Sequence, residues 1–196
     1  MPTGSSPSAS GKDIMDMEGG ERVTVKEKTP LERYLELPEG YPAELIEGEI
    51  SMTPSPSYKH QMIAIDISSK MKLFADGKNA GIVLYEFDVH LDDENVVRPD
   101  IIFVRKERSS VIKENWVDGV PDLVVEVLSP STATIDLIIK RDLYESRGVK
   151  EYWIIDPGRE EIFVYENKDG KFVLSCHGKK CSSKVLEDFE WGFQEK

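Results

Sequence analysis

Apolar positions recur along this chain with two different periods, and stretches of one alternate with stretches of the other. Over residues 58–79, Ile63, Ile67, Met71 and Phe74 return at helical spacing, which predicts one amphipathic helix with Lys59, Lys70, Lys72 and Lys78 in solvent. Elsewhere the apolar runs are short and rich in Val and Ile, as strands are. Residues 43–52 predict a β-hairpin turning near Glu47-Gly48, and residues 81–91 and 96–104 an antiparallel pair joined by Asp92-Asp93-Glu94-Asn95. Residues 123–128 form the most apolar run, hence the predicted sheet centre. Residues 151–156 predict another buried strand, stopped by Pro157-Gly158. A last hairpin, 161–166 with 171–175, turns on Asp169-Gly170, and Val185, Leu186, Phe189 and Trp191 predict an apolar edge.

The punctuation between these runs agrees with them. Thr29, Pro30 and Glu32 have the spacing of a capping box opening a short helix to about Leu37. Pro54-Ser55-Pro56-Ser57 predicts a stiff loop whose serines cap the long helix. Residues 105–119 are polar and predict a loop with one helical turn, anchored by Trp116. Ser129-Pro130-Ser131-Thr132 breaks the central strand and supplies caps for a helix from about Thr134 to Arg147, which Gly148 ends. Residues 1–28 carry no apolar period and predict a disordered tail, leaving 29–196 as one domain. Strand-like and helix-like segments that alternate in this way predict an α/β or α+β fold.

Composition narrows the class. The 196 residues are 39% hydrophobic and 32% charged, enough for one substantial core. No apolar run approaches the roughly 20 residues that span a bilayer, and no basic start followed by an apolar stretch predicts a secretory signal, so the expected location is cytoplasmic with no membrane partner. Cys176 and Cys181, with His177 beside the first, are too few for a zinc site and predict two reduced thiols. A net charge of -12 and a pI near 4.8 make a poor footprint for gripping phosphates. They count against broad wrapping of DNA and leave room for a local basic surface or a bound divalent cation.

The candidate chemistry lies in residues 97–148. Asp100 and Glu126 sit in or beside apolar strand runs, and two carboxylates about 4 Å apart repel by about 4 kcal/mol at an effective dielectric of 20. A cation must offset this unless one of them is protonated. Oxygen donors suit Mg²⁺ or Mn²⁺ better than zinc, and neighbouring strands would let both acids reach one ion. On the following helix Asp136, Lys140 and Tyr144 lie one turn apart, beside an apolar face of Ile135, Ile139 and Leu143. Lys140 has two readings: a cation folded back over the strand end to orient water or neutralise phosphate charge, or a surface ion pair with Asp136 worth a few tenths of a kcal/mol.

Tyr41-Pro-Ala-Glu-Leu-Ile-Glu-Gly-Glu49, Pro54-Ser-Pro-Ser57 with His60-Gln61, Arg98-Pro99-Asp100, Glu126-Val-Leu-Ser-Pro-Ser-Thr132 and Gly148-Val-Lys-Glu-Tyr-Trp-Ile-Ile-Asp-Pro157, in that order, resemble the Uma family of putative restriction endonucleases. The resemblance covers about Thr29 to Trp191. It implies a restriction-endonuclease-like fold of the PD-(D/E)xK superfamily, a central mixed β-sheet flanked by helices. Pro99-Asp100 would be the PD element and Glu126 the second acid, while Leu128 stands where that pattern places lysine. The family's lysine is on the next helix, and Lys140 matches it. An arginine customary beside the family's lysine is absent from Asp136-Leu-Ile-Ile-Lys140. Glu44 would be an upstream acid of the site and His60 a helper, although Glu44 also reads as a solvent-facing hairpin residue and His60 as a helix cap. Asp88 and Glu86 read as structural, Tyr144 and Asp156 as packing and turn residues.

The resemblance implies an endonuclease that hydrolyses DNA with Mg²⁺ or Mn²⁺ held by Asp100, Glu126 and the Val127 carbonyl, with Lys140 positioning water. A homodimer is expected by analogy with enzymes that cut both strands. The alternative is a catalytically silent member of the fold acting as a binding or assembly module, which the acidic charge favours. A third reading is hydrolysis of RNA or of a modified nucleic acid by the same site.

Overall fold

Strand Leu123–Val127 is buried at every position, as only an interior strand covered on both faces can be. The computed structural model, which describes residues 27–38, 40–129 and 135–194, places it inside a six-stranded sheet. We number the elements in chain order. The sheet runs β11 (Lys171–Gly178), β10 (Glu161–Lys168), β9 (Glu151–Asp156), β8 (Leu123–Val127), β6 (Ile101–Arg105), β3 (Gly81–Tyr85). The β8–β9 pair is parallel and the others antiparallel, so the sheet is mixed.

Alternation along the strands assigns the two faces. Ile101, Phe103, Val125, Val127, Trp153 and Ile155 pack on one side against Ala64, Ile67, Met71 and Ala75 of α2 (Tyr58–Lys78). Ile102, Val124, Tyr152 and Ile154 pack on the other against Leu143 and Tyr144 of α3 (Arg141–Arg147). Glu126 falls on the α3 side by the same alternation. Before the sheet comes α1 (Pro30–Leu35), where Thr29 and Glu32 form the expected capping box.

A second sheet, of five strands, changes one expectation. Residues 81–91 are not a single strand. β3 ends at Tyr85, and β4 (Asp88–Asp92) belongs to the second sheet, ordered β2 (Glu49–Met52), β1 (Ala43–Ile46), β5 (Asn95–Val97), β4, β7 (Trp116–Asp118). The partner run divides likewise into β5 and β6. The antiparallel pairing persists on both sides of the break, β4 with β5 and β3 with β6. The bend has local causes: Glu86 adopts a left-handed φ of 45°, and Pro99 has no N–H for a ladder. The Glu86 N–H donates to the Asp100 carbonyl across the bend at 3.0 Å. Asp100 therefore stands where both strands pass from one sheet into the other.

Other corrections are smaller. The polar interval 105–119 contains a 3₁₀ turn (Lys106–Val111) but also β7, which pairs parallel with β4. Trp116 is 38% exposed and is not buried as a packing anchor. Cys176 and Cys181 are not reduced thiols. The turn from β11 into β12 (Lys180–Ser182) brings their Cα atoms to 6.0 Å, and they form a disulfide. β12 pairs with β13 (Glu190–Gly192), which places Trp191 against the α2 side of the core. The helix expected over 134–147 is π-wound over Ile135–Lys140 and α-helical from Arg141. Ile139 is consequently 42% exposed and does not continue an apolar face with Leu143, since wider winding rotates it away. The expected tail as far as residue 26, the caps among 130–134 and the side chain of Asp136 lie outside the described residues. Among the described residues no helix is long and apolar enough to cross a membrane.

Candidate active site

Glu44 lies at the middle of the sequence Ala43-Glu44-Leu45, buried between β2 and β5. At 4% exposure Glu44 does not face solvent, which overturns the solvent-facing reading. Its Oε1 accepts the Arg98 backbone N–H at 2.7 Å, so the strand break before Asp100 is pinned to this glutamate. Asp100 itself is held through Oδ2, which accepts the Val127 N–H at 2.7 Å and lies 3.1 Å from His60 Nε2. His60 stands in the first turn of α2, which Ser57 caps, its hydroxyl accepting the His60 backbone N–H at 3.2 Å.

Glu126, also 4% exposed, receives two donors at one oxygen. Lys140 Nζ lies 3.1 Å from Oε1 and the Tyr144 hydroxyl donates to it at 2.9 Å. Lys140 sits 2.9 Å from Glu44 Oε1 as well, so one buried ammonium bridges two buried carboxylates. Sequence separation of four puts Lys140 and Tyr144 on adjacent turns, which lets both reach the strand end. Burial, then the Glu126 charge, push the Tyr144 hydroxyl well above the ordinary phenol range, so it remains a donor. The surface reading of Lys140 is overturned: it is 5% exposed.

Glu44, His60, Asp100, Glu126, Val127 and Lys140 all line one cleft of about 260 Å³, whose rim is the Thr53–Pro56 loop. Arg98, in the same cleft, is clamped to Asp88 by contacts of 2.6 and 3.1 Å, and the hydrogen bond to that carboxylate raises its already high pKa. Asp156 accepts the Gly158 and Arg159 N–H groups and is a turn residue. Two residues that hold the site together, Arg98 in the cleft wall and Tyr144 buried behind Glu126, were not singled out for it by sequence reasoning. Tyr144 read as packing, although its spacing from Lys140 was visible. Arg98 read only as part of a motif, and nothing local signals that its backbone would hold Glu44.

The donor set has a definite chemistry. Among the described residues no three of His, Cys, Asp or Glu are gathered tightly enough to cage an ion. Mg²⁺, however, is commonly bound by one or two carboxylates together with water. Asp100 and Glu126 supply oxygen only, and the Val127 carbonyl projects to the same side of its strand as the N–H that meets Asp100. Oxygen donors of this kind suit Mg²⁺ or Mn²⁺ better than zinc.

A mixed sheet with helices on both faces and acids at a strand break defines an α+β protein of nuclease-like fold. The chain belongs to the Uma2 family, described as putative restriction endonuclease, whose model matches residues 31–193. An uncharacterised Synechocystis protein, slr1290, is 28% identical over 134 residues, covering 67% of this chain and 70% of its own. The crystal structure of a putative nuclease of the DUF820 group from Anabaena variabilis superposes with a TM-score of 0.64 at 24% identity. It covers 76% of this chain and 84% of its own, and it bears on the fold.

Proposed function

We propose that this chain is a metal-dependent phosphodiesterase that hydrolyses DNA. Asp100, Glu126 and the Val127 carbonyl hold Mg²⁺ or Mn²⁺ in this reading. Bound there, the cation supplies positive charge at the phosphoryl oxygens and makes water more acidic. The remaining work belongs to side chains. His60 and the Val127 N–H fix the orientation of Asp100, and Tyr144 fixes Glu126. Glu44 holds Lys140 at the cleft floor, where its ammonium orients the attacking water and offsets charge on the phosphate. The observation that supports this is the meeting of three carboxylates and one buried ammonium in a single cleft, at distances of 2.9 and 3.1 Å about Lys140.

Nicking of plasmid DNA with Mg²⁺ or Mn²⁺ tests it. The wild-type protein nicks, and Asp100→Ala and Lys140→Ala lower the rate by about 100-fold or more, as losses of charge-stabilising groups do. Equal rates in all three would sink the assignment. One observation favours a second reading, a silent binding module of the same fold: Lys140 is already neutralised by two carboxylates. Calorimetric titration with Mn²⁺ separates them, since absence of binding at millimolar metal supports the module.

A further inference from the structure

Beside the catalytic cleft lies a second one of about 420 Å³, between α1 with its following loop and strands β4 and β7. The two clefts share Glu86 and Arg98 in their walls, so they adjoin at the strand break. The second volume falls within the roughly 300–1,000 Å³ typical of small-ligand sites.

Its lining differs in kind from that of the first. Trp116 and Tyr41 present aromatic surface, 38% and 39% exposed. The imidazole of His90 stacks on the Trp116 indole, with ring centroids 5.3 Å apart and planes 20° from parallel, which braces the indole. Burial lowers the His90 pKa, so this brace is an uncharged ring at neutral pH. Arg98 enters the wall already paired with Asp88. The cleft thus offers π faces and the exposed Glu86 carboxylate as an acceptor, while Arg98 and Asp88 neutralise each other. Such a surface disfavours phosphate and suits a flat, uncharged ring that carries N–H donors at its edge. Unstacked nucleobases are such rings.

We propose that this second cleft binds an unstacked nucleobase of the strand whose phosphate lies in the catalytic cleft, with Trp116 as the stacking platform. The substrate class is then nucleic acid with a single-stranded, mismatched or flipped position. The proposal rests on the nuclease reading for the identity of the strand.

Fluorescence of the full chain in EDTA tests it without turnover. The other two tryptophans, Trp153 and Trp191, are 0% and 5% exposed, so quenchable emission reports on Trp116. The probes are a short oligothymidylate and an abasic oligonucleotide of the same length and charge. The expected result is quenching by oligothymidylate and binding about 5- to 150-fold tighter than to the abasic strand, the range of one stacked base. Trp116→Ala should erase that ratio, followed by intrinsic titration of a dye-labelled strand, while Trp116→Phe retains most of it and Tyr41→Ala reduces it. Equal affinity for the two strands, a ratio that survives in Trp116→Ala, or emission that iodide cannot quench in the full chain would each overturn the proposal. The nuclease assignment is read separately: a protein that discriminates bases in this assay and never nicks plasmid keeps the stacking site and loses the nuclease.

Discussion

Lys140 and Tyr144 donate to the same oxygen of Glu126, and that shared oxygen decides what each residue is worth. Removing the hydroxyl alone leaves the pair of charges intact and takes away one charge-assisted hydrogen bond, about 1.5–3 kcal/mol. Tyr144→Phe should therefore lower stability by that order in urea unfolding. It should also slow metal-dependent nicking by about 10- to 100-fold, as loss of a group orienting a metal ligand does. A variant unchanged in both measurements would reduce Tyr144 to packing. A pH effect belongs to a different residue. Burial lowers the pKa of His90, against the opposing pull of Asp88 and Asp118. The unfolded chain then binds the proton more readily than the folded one below about pH 6.5, the reference value. His90 thus contributes stability that is present above the unfolded pKa and is lost as pH falls through the lower folded pKa. Urea unfolding at pH 7.5 and pH 5 should show a loss for wild type that is smaller in His90→Gln. An equal loss in both proteins would remove His90 from the account.

Between elements, the C-terminal segment is tied to the sheet by one carboxylate. Glu151, fully buried at the start of β9, accepts the Trp153 indole N–H at 2.6 Å and the Lys184 and Val185 backbone N–H groups at 2.6 and 3.0 Å. Glu151→Ala would strand the buried Trp153 indole N–H and two part-buried backbone N–H groups, and a buried donor left unsatisfied costs about 1–3 kcal/mol. We expect a loss of at least about 1 kcal/mol in chemical denaturation, and a smaller loss would show that the segment repacks or finds water. Nothing in the sequence marked Glu151 for this role, because the two partners that tie the C-terminal segment, the Lys184 and Val185 N–H groups, are backbone and lie more than thirty residues away. Elements whose cause is local were legible: the Glu47-Gly48 and Asp169-Gly170 turns, the Thr29–Glu32 cap, the α2 period and the apolar β8. Three features were not, each for a physical reason. The sheet change at Glu86 and Arg98–Asp100 leaves the strand periodicity unbroken on either side. β7 is three residues long, below the length at which alternation can be recognised. The Cys176–Cys181 pairing depends on how β11 turns into β12. For the site, the resemblance named Glu44, His60, Asp100, Glu126 and Lys140, while local evidence alone left Lys140 on the surface and Glu44 undecided. Burial depends on neighbours that single-residue patterns do not contain.

At the scale of the whole molecule the net charge of -12 has to be reconciled with the polyanionic substrate proposed above. The cations at the two clefts do not resolve it, since Lys140 is shared between Glu44 and Glu126 and Arg98 is held by Asp88. In the proposed reading the clefts themselves neutralise few phosphates, so binding there would rest on base contacts and on a bound cation. That gives a measurable difference from proteins that grip DNA through lysines and arginines. For duplex DNA, log K falls with log salt at about -0.9 per phosphate neutralised. One or two such contacts predict a slope between about -1 and -2 for this chain in potassium chloride with EDTA present. A slope of about -5 or steeper would require phosphate contacts from cations outside the two clefts. It would also shift the explanation of any DNA affinity from the clefts to charge elsewhere in the chain. A shallow slope together with nicking that needs Mg²⁺ or Mn²⁺ would support recognition at the proposed sites, the acids around Lys140 and the aromatic wall beside them.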